Sequence, residues 1–112
     1  MKSFHQTIRE LRESRGLLLR QLAAKLDVDP SLLSRVENGT KQLTRDKVVT
    51  LATVLGEDKE KLLVLYLSER VVYELKDEED LAIEALMVAE KRIRYGVKNS
   101  QTQSEGGADT PN

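Results

Sequence analysis

The sequence predicts an all-α protein, a small helical bundle followed by two further helices, and three observations carry that prediction. Apolar residues recur at the three- and four-residue spacing of a helix face along most of the chain. Helix start and stop residues stand at the ends of each apolar stripe. The core has to be built from Leu, Val, Ile and Ala, because the 112 residues contain no Trp and only 4% aromatics, which favours helices over a sheet sandwich.

The elements follow in order. Ser3 with Gln6 forms a capping box ahead of Phe4, Ile8 and Leu11, and Gly16 is placed to end this first helix near Arg15. Leu19, Leu22, Ala23 and Leu26 mark a short second helix that stops around Asp27. Asp29 followed by Pro30 reads as an N-cap with proline at the first helical position, opening a third helix with Leu33 and Val36 inward and Gly39 at its end. Thr44 caps a fourth helix bearing Val48, Leu51, Ala52 and Leu55, closed by Gly56. Asp58 caps a fifth that runs to about Leu75, and Asp77 is expected to open a sixth with Leu81, Ala82, Ala85, Leu86, Ala89 and Ile93 on its apolar face. Residues 99–112 hold no apolar residue except Ala108 and are expected to be a disordered tail.

Composition excludes several functions. The length is about one domain's worth, since a domain typically runs ~100–200 residues. Without Cys there are no disulfides, thiolate metal sites or thiol nucleophiles, and the single His5 cannot build a multi-histidine centre. No metal or cofactor is expected. The longest apolar run, Leu62 to Leu67, is far short of the ~20 residues that span a bilayer. The first residues lack a signal-peptide core, so a cytoplasmic protein with no membrane partner is expected. No phosphate-binding glycine loop or nucleophile–base arrangement is present, which argues against an enzyme. The acidic run Asp77–Asp80 sits at a helix start, where negative charge favours the helix dipole.

The net charge of −1 hides an asymmetry. Residues 1–56 carry ten basic against six acidic groups (+4), and residues 57–112 carry eight against thirteen (−5). A basic front and an acidic back fit a polyanion-binding module joined to something else.

The informative stretch is Leu17 to Gly39. Two short helices joined by a tight turn, with small Ala23 at the crossing and Asp27 tolerating a positive φ, form a helix-turn-helix pattern. Over residues 4–67, Arg12, Gly16-Leu17, Gln21-Leu22-Ala23, Leu26 and Leu33-Ser34-Arg35-Val36-Glu37-Asn38-Gly39 resemble the Cro/C1-type, or Xre, family of helix-turn-helix transcriptional regulators. The resemblance implies a Cro/C1 repressor-like DNA-binding bundle over residues 1–67. Residues 68–98 would be a C-terminal helical extension.

It also implies roles for single residues. The third helix would enter the major groove of double-stranded DNA and turn Pro30, Ser31, Ser34 and Arg35 toward base edges. Arg35 is the strongest of these readers, because a guanidinium bonds bidentately to guanine O6 and N7. Asn38, Gly39, Thr40 and Lys41 would offer backbone N–H groups and a cation to phosphates, with Arg45 beside them. Arg12 and Glu37 match the family's internal ion pair and are assigned to structure. The pattern departs at Leu18 and Leu19, where the family has a Ser or Thr cap followed by Gln, so the helix-two cap must be lost or replaced.

Helices five and six are apolar over too wide an arc for ordinary surface helices. Either one domain buries them from several sides, or part of the arc pairs with a second subunit. A homodimer is expected, with Val71, Val72, Leu75, Leu86 and Ile93 as its contact residues. Three functions follow: a sequence-specific regulator acting as repressor or autoregulator, of which restriction–modification controllers are short examples; an antitoxin-like protein whose C-terminal helices neutralise a partner; and an interaction module that keeps the fold without the DNA contacts. Nothing in the sequence marks a small-molecule pocket, so no effector is assigned.

Overall fold

Four of the helices begin where a side-chain oxygen accepts from an orphan N–H of the first turn. A computed structural model describes residues 1–96 and contains α1 (Phe4–Ser14), α2 (Leu19–Leu26), α3 (Pro30–Glu37), α4 (Arg45–Leu55), α5 (Lys59–Leu75) and α6 (Glu79–Lys91), followed by a π-helical turn over Arg92–Gly96. No strand is present among the described residues. The segment 99–112, expected to be a disordered tail, lies outside them.

At α1, Ser3 Oγ accepts from the Gln6 N–H at 3.2 Å while Gln6 Oε1 accepts from the Ser3 N–H at 3.1 Å. Asp29 Oδ1 accepts from the Ser31 N–H at 2.8 Å, and Asp58 Oδ1 from the Glu60 N–H at 3.0 Å. Thr44 Oγ1 caps α4 through the Lys47 N–H at 3.4 Å. Leu18 has no oxygen to offer, and half a capping box remains at α2: Gln21 Oε1 accepts from the Leu18 N–H at 2.8 Å.

The helix ends share one geometry. A residue with positive φ (Gly16, Asp27, Gly39 or Gly56) follows α1 to α4. The next N–H reaches back five residues, as in Thr40 to the Arg35 carbonyl at 2.9 Å and Val28 to the Ala23 carbonyl at 3.0 Å. This is the Schellman closure, which satisfies carbonyls that the helix leaves open.

The junction after α5 corrects the expected start of α6. Asp77 does not cap that helix; it adopts a left-handed φ of 73°. An N-cap needs an extended backbone, so Asp77 cannot serve as one. Glu78 precedes α6 without a side-chain cap, and Glu79 and Asp80 supply the negative charge in the first turn.

The chain divides into two compact units, Met1–Glu74 and a second from Leu75 onward. In the first, Ile8 of α1, Leu22 and Ala23 of α2, Leu33 of α3, and Val48 and Leu51 of α4 are fully buried. Leu62, Leu63 and Tyr66 of α5 complete this core. α5 therefore buries one stripe of its Leu62–Leu67 run and leaves Val64 and Leu67 exposed. In the second unit, α6 buries no residue, and Leu81, Ile83, Leu86, Met87 and Val88 are exposed. No helix among the described residues is long and apolar enough to cross a membrane.

Candidate nucleic-acid interface

α2 and α3 pack against one another, and Ala23 of α2 is fully buried with no side chain beyond Cβ. The turn between them is set by Asp27 at φ 56° and secured from α4. Lys47 Nζ donates to the Leu26 carbonyl at 2.8 Å and lies 3.5 Å from that of Asp27, placing a cation on the C-terminal end of the α2 dipole.

α3 has two faces. Leu33, Val36 and Glu37 point into the core, while Pro30, Ser31 and Arg35 are exposed and Ser34 is half-buried. The inward face is locked by charge as well as by packing. Arg12 Nε donates to Glu37 Oε2 at 2.7 Å and Arg12 Nη2 to Glu37 Oε1 at 3.0 Å, a bidentate pair whose side chains are 13% and 5% exposed. Arg12 Nη1 also donates to the Leu17 carbonyl at 2.8 Å, so one guanidinium joins α1, the start of the helix-turn-helix and the end of α3. The hydrogen bond to Glu37 raises the Arg12 pKa against the opposing cost of burial.

On the outward face, Ser31 Oγ donates its proton to Asp29 Oδ1 at 2.9 Å and therefore faces solvent as an acceptor. Both Ser31 bonds hold the Asp29 carboxyl below its ordinary pKa, and the charge of Arg35 adds to that shift. The Arg35 guanidinium has no carboxylate partner within salt-bridge distance among the described residues.

The loop after α3 corrects one part of the sequence reading. The N–H groups of Asn38, Gly39, Thr40 and Lys41 are not open to phosphate. They donate to the carbonyls of Ser34, Val36, Arg35 and Arg35 at 3.0, 3.0, 2.9 and 3.3 Å. The Schellman closure of α3 consumes them, and the Thr40 hydroxyl also donates to the Arg35 carbonyl at 3.2 Å. What the loop presents outward is the exposed side chains of Asn38, Thr40 and Lys41. Backbone donors without an intrahelical acceptor occur instead in the first turn of α4, where Arg45 is exposed.

Sequence reasoning missed the groups that act at long range. Besides Lys47, Arg15 Nε donates to the Leu55 carbonyl at 2.7 Å, and His5 Nδ1 lies 2.9 Å from Glu69 Oε1. Of the two unexpected leucines, Leu19 packs against the core and Leu18 is exposed.

A short, tightly connected helix pair, with one face of its second helix pinned and the other polar, cationic and open, defines a helix-turn-helix DNA-binding protein. Residues 8–62 match the helix-turn-helix family model, and the chain belongs over that stretch to the Cro/C1-type helix-turn-helix family. That is a family of DNA-binding transcriptional regulators and not of enzymes. The match ends at the start of α5's buried stripe, so most of α5 and all of α6 lie beyond it. No curated protein and no solved structure matches the chain.

Proposed function

We propose that the protein is a cytoplasmic, sequence-specific regulator that binds its operator as a homodimer and acts as a repressor or autoregulator. The observation that carries this reading is Arg35: an exposed guanidinium without a carboxylate partner among the described residues, on a helix whose opposite face is fixed by Leu33, Val36 and the Arg12–Glu37 pair. In the groove, Arg35 bonds a guanine edge, Ser31 and Ser34 discriminate more weakly, and Pro30 gives apolar contact. The side chains of Asn38, Thr40 and Lys41, with Arg45, hold phosphates; Gly39 contributes the turn that presents them.

The homodimer rests on apolar exposure. Val71, Val72, Leu86 and Ile93 are 41%, 68%, 39% and 67% exposed, with Leu75 half-buried. One helix-turn-helix reads a short half-site, and a two-fold dimer doubles it. Residues 68–98 serve this contact. The exposure of Ile83, Met87 and Val88 on α6 favours a second reading, in which the C-terminal helices neutralise a partner protein as an antitoxin does. A methyltransferase or a toxin encoded beside this gene separates a restriction–modification controller from that alternative. Selection of bound duplexes from random DNA tests the main reading: an enriched palindromic site supports it, and no enrichment overturns it.

A further inference from the structure

The part of α5 beyond the family match supports the loop that follows α3. Tyr66 is buried, donates its hydroxyl to the Leu43 carbonyl at 2.7 Å, and meets Phe4 edge-on with ring centroids 5.5 Å apart. Nearly one turn on, Glu69 Oε1 accepts from the His5 N–H at 3.1 Å. The His5 ring in turn lies against Gly39, so closely that an added Cβ there would come within 2.8 Å of His5 Cε1. Beside Glu69, the Arg70 guanidinium sits 5.6 Å from the centroid of the Tyr66 ring. Arg70, Lys41, Gln42 and Glu69 surround one surface depression over Phe4 and Tyr66, too shallow to enclose even a water molecule, so a ligand there would rest on the surface.

We propose that Arg70, acting with Lys41 and Gln42, is a DNA phosphate contact that widens the interface beyond the helix-turn-helix. Arg70 and Lys41 are both exposed, and neither has a carboxylate partner among the described residues. The cation–π contact restrains the guanidinium before DNA arrives, so less side-chain freedom is lost on binding. A guanidinium, an ammonium and an amide N–H at the rim of one depression can each donate to an oxygen of a phosphodiester laid across the surface. Glu69 shares the depression and keeps its negative charge, but its Oε1 is turned to the His5 N–H, and the two cations outnumber it. Lys41 belongs to the loop that directly follows α3, which the proposed function already sets against phosphates, so the depression adjoins that surface.

This inference rests on the DNA-binding reading. The test measures binding of the full chain to a mixed-sequence duplex and to its selected duplex across a salt series. Arg70→Gln is compared with Lys61→Gln, which removes an exposed cation elsewhere on α5. For each chain bound, Arg70→Gln is expected to lower the salt slope by about one on both duplexes and to weaken binding roughly five- to tenfold at moderate salt. The base preference stays unchanged, Lys61→Gln leaves the slope alone, and Arg70→Lys restores most of it. A slope in Arg70→Gln equal to wild type overturns the proposal, as does equal loss in Lys61→Gln. Loss in Arg70→Lys as large as in Arg70→Gln also overturns it, because it assigns the residue to packing on Tyr66. A wild-type chain that binds neither duplex overturns the DNA-binding reading first, and this inference with it.

Discussion

Arg35 and Arg45 carry the same charge on neighbouring elements, and their settings predict different losses. Arg35 stands on the outward face of α3, so Arg35→Ala should cost ~1–3 kcal/mol on the best site and relax preference at one base pair per half-site. Arg45 begins α4, so Arg45→Ala should weaken selected and random duplexes alike and lower the salt slope by about one per half-site. Titrations of both variants on both duplexes separate the patterns. Arg12 predicts a third pattern, in stability. Its partner Glu37 is 5% exposed, and Arg12→Ala leaves that carboxylate without its guanidinium. Chemical denaturation should show a loss of ~3–5 kcal/mol, the usual cost of breaking a buried pair from one side. An unchanged melting temperature would remove Arg12 from this role.

α3 is where closure, cap and charge meet, and its two ends give two tests. At its start, Asp29 has a depressed pKa because Ser31 bonds its charged form. The unfolded chain therefore takes up a proton first as pH falls, so this contribution is complete above the ordinary carboxylate range and is lost on acidification toward the depressed value. Asp29→Asn keeps a capping oxygen but cannot titrate. Melting curves of the two proteins should differ at neutral pH and converge in acid. At the other end, Gly39 has φ 83° with the His5 ring beside it. Gly39→Ala should cost more than the ~1–2 kcal/mol of left-handed strain alone, because His5 must also move. In a His5→Ala background the excess should vanish, which a double-mutant cycle reads out. The caps of α1, α3, α4 and α5 are legible in the sequence because a capping side chain acts two or three residues ahead. The closure after α3 is only half legible: Gly39 marks the stop, but the fate of four N–H groups depends on how the chain folds back over Arg35. Asp77 misled because Asp suits both an N-cap and a left-handed turn, and one residue cannot do both.

Over the whole chain, the outward face of α3 could be read from motif spacing, whereas the supports behind it could not. Lys47 reaches a carbonyl 21 residues away, Arg15 one 40 away, and His5 a carboxylate 64 away. Such pairs leave no periodic trace, and only the fold brings them together. The apolar arc of α5 and α6 was visible, and its exposure in the structure supplies the surface on which a homodimer is proposed. Val72→Glu and Leu86→Glu should shift the protein from dimer to monomer in sedimentation while leaving its helical content intact, since neither side chain is part of the core of the first unit. Both should also weaken the operator complex more than the half-site complex, because dimerisation joins two half-sites without changing either.

Whether α3 reads sequence through Arg35 is decided by selecting bound duplexes from random DNA, with wild type and Arg35→Ala side by side. Wild type should enrich an inverted repeat whose half-sites lie about one helical turn apart, with a guanine fixed in each half. Arg35→Ala should retain the repeat and lose preference at that guanine alone. An identical motif from both proteins, guanine included, would contradict the assignment of Arg35 as the base reader.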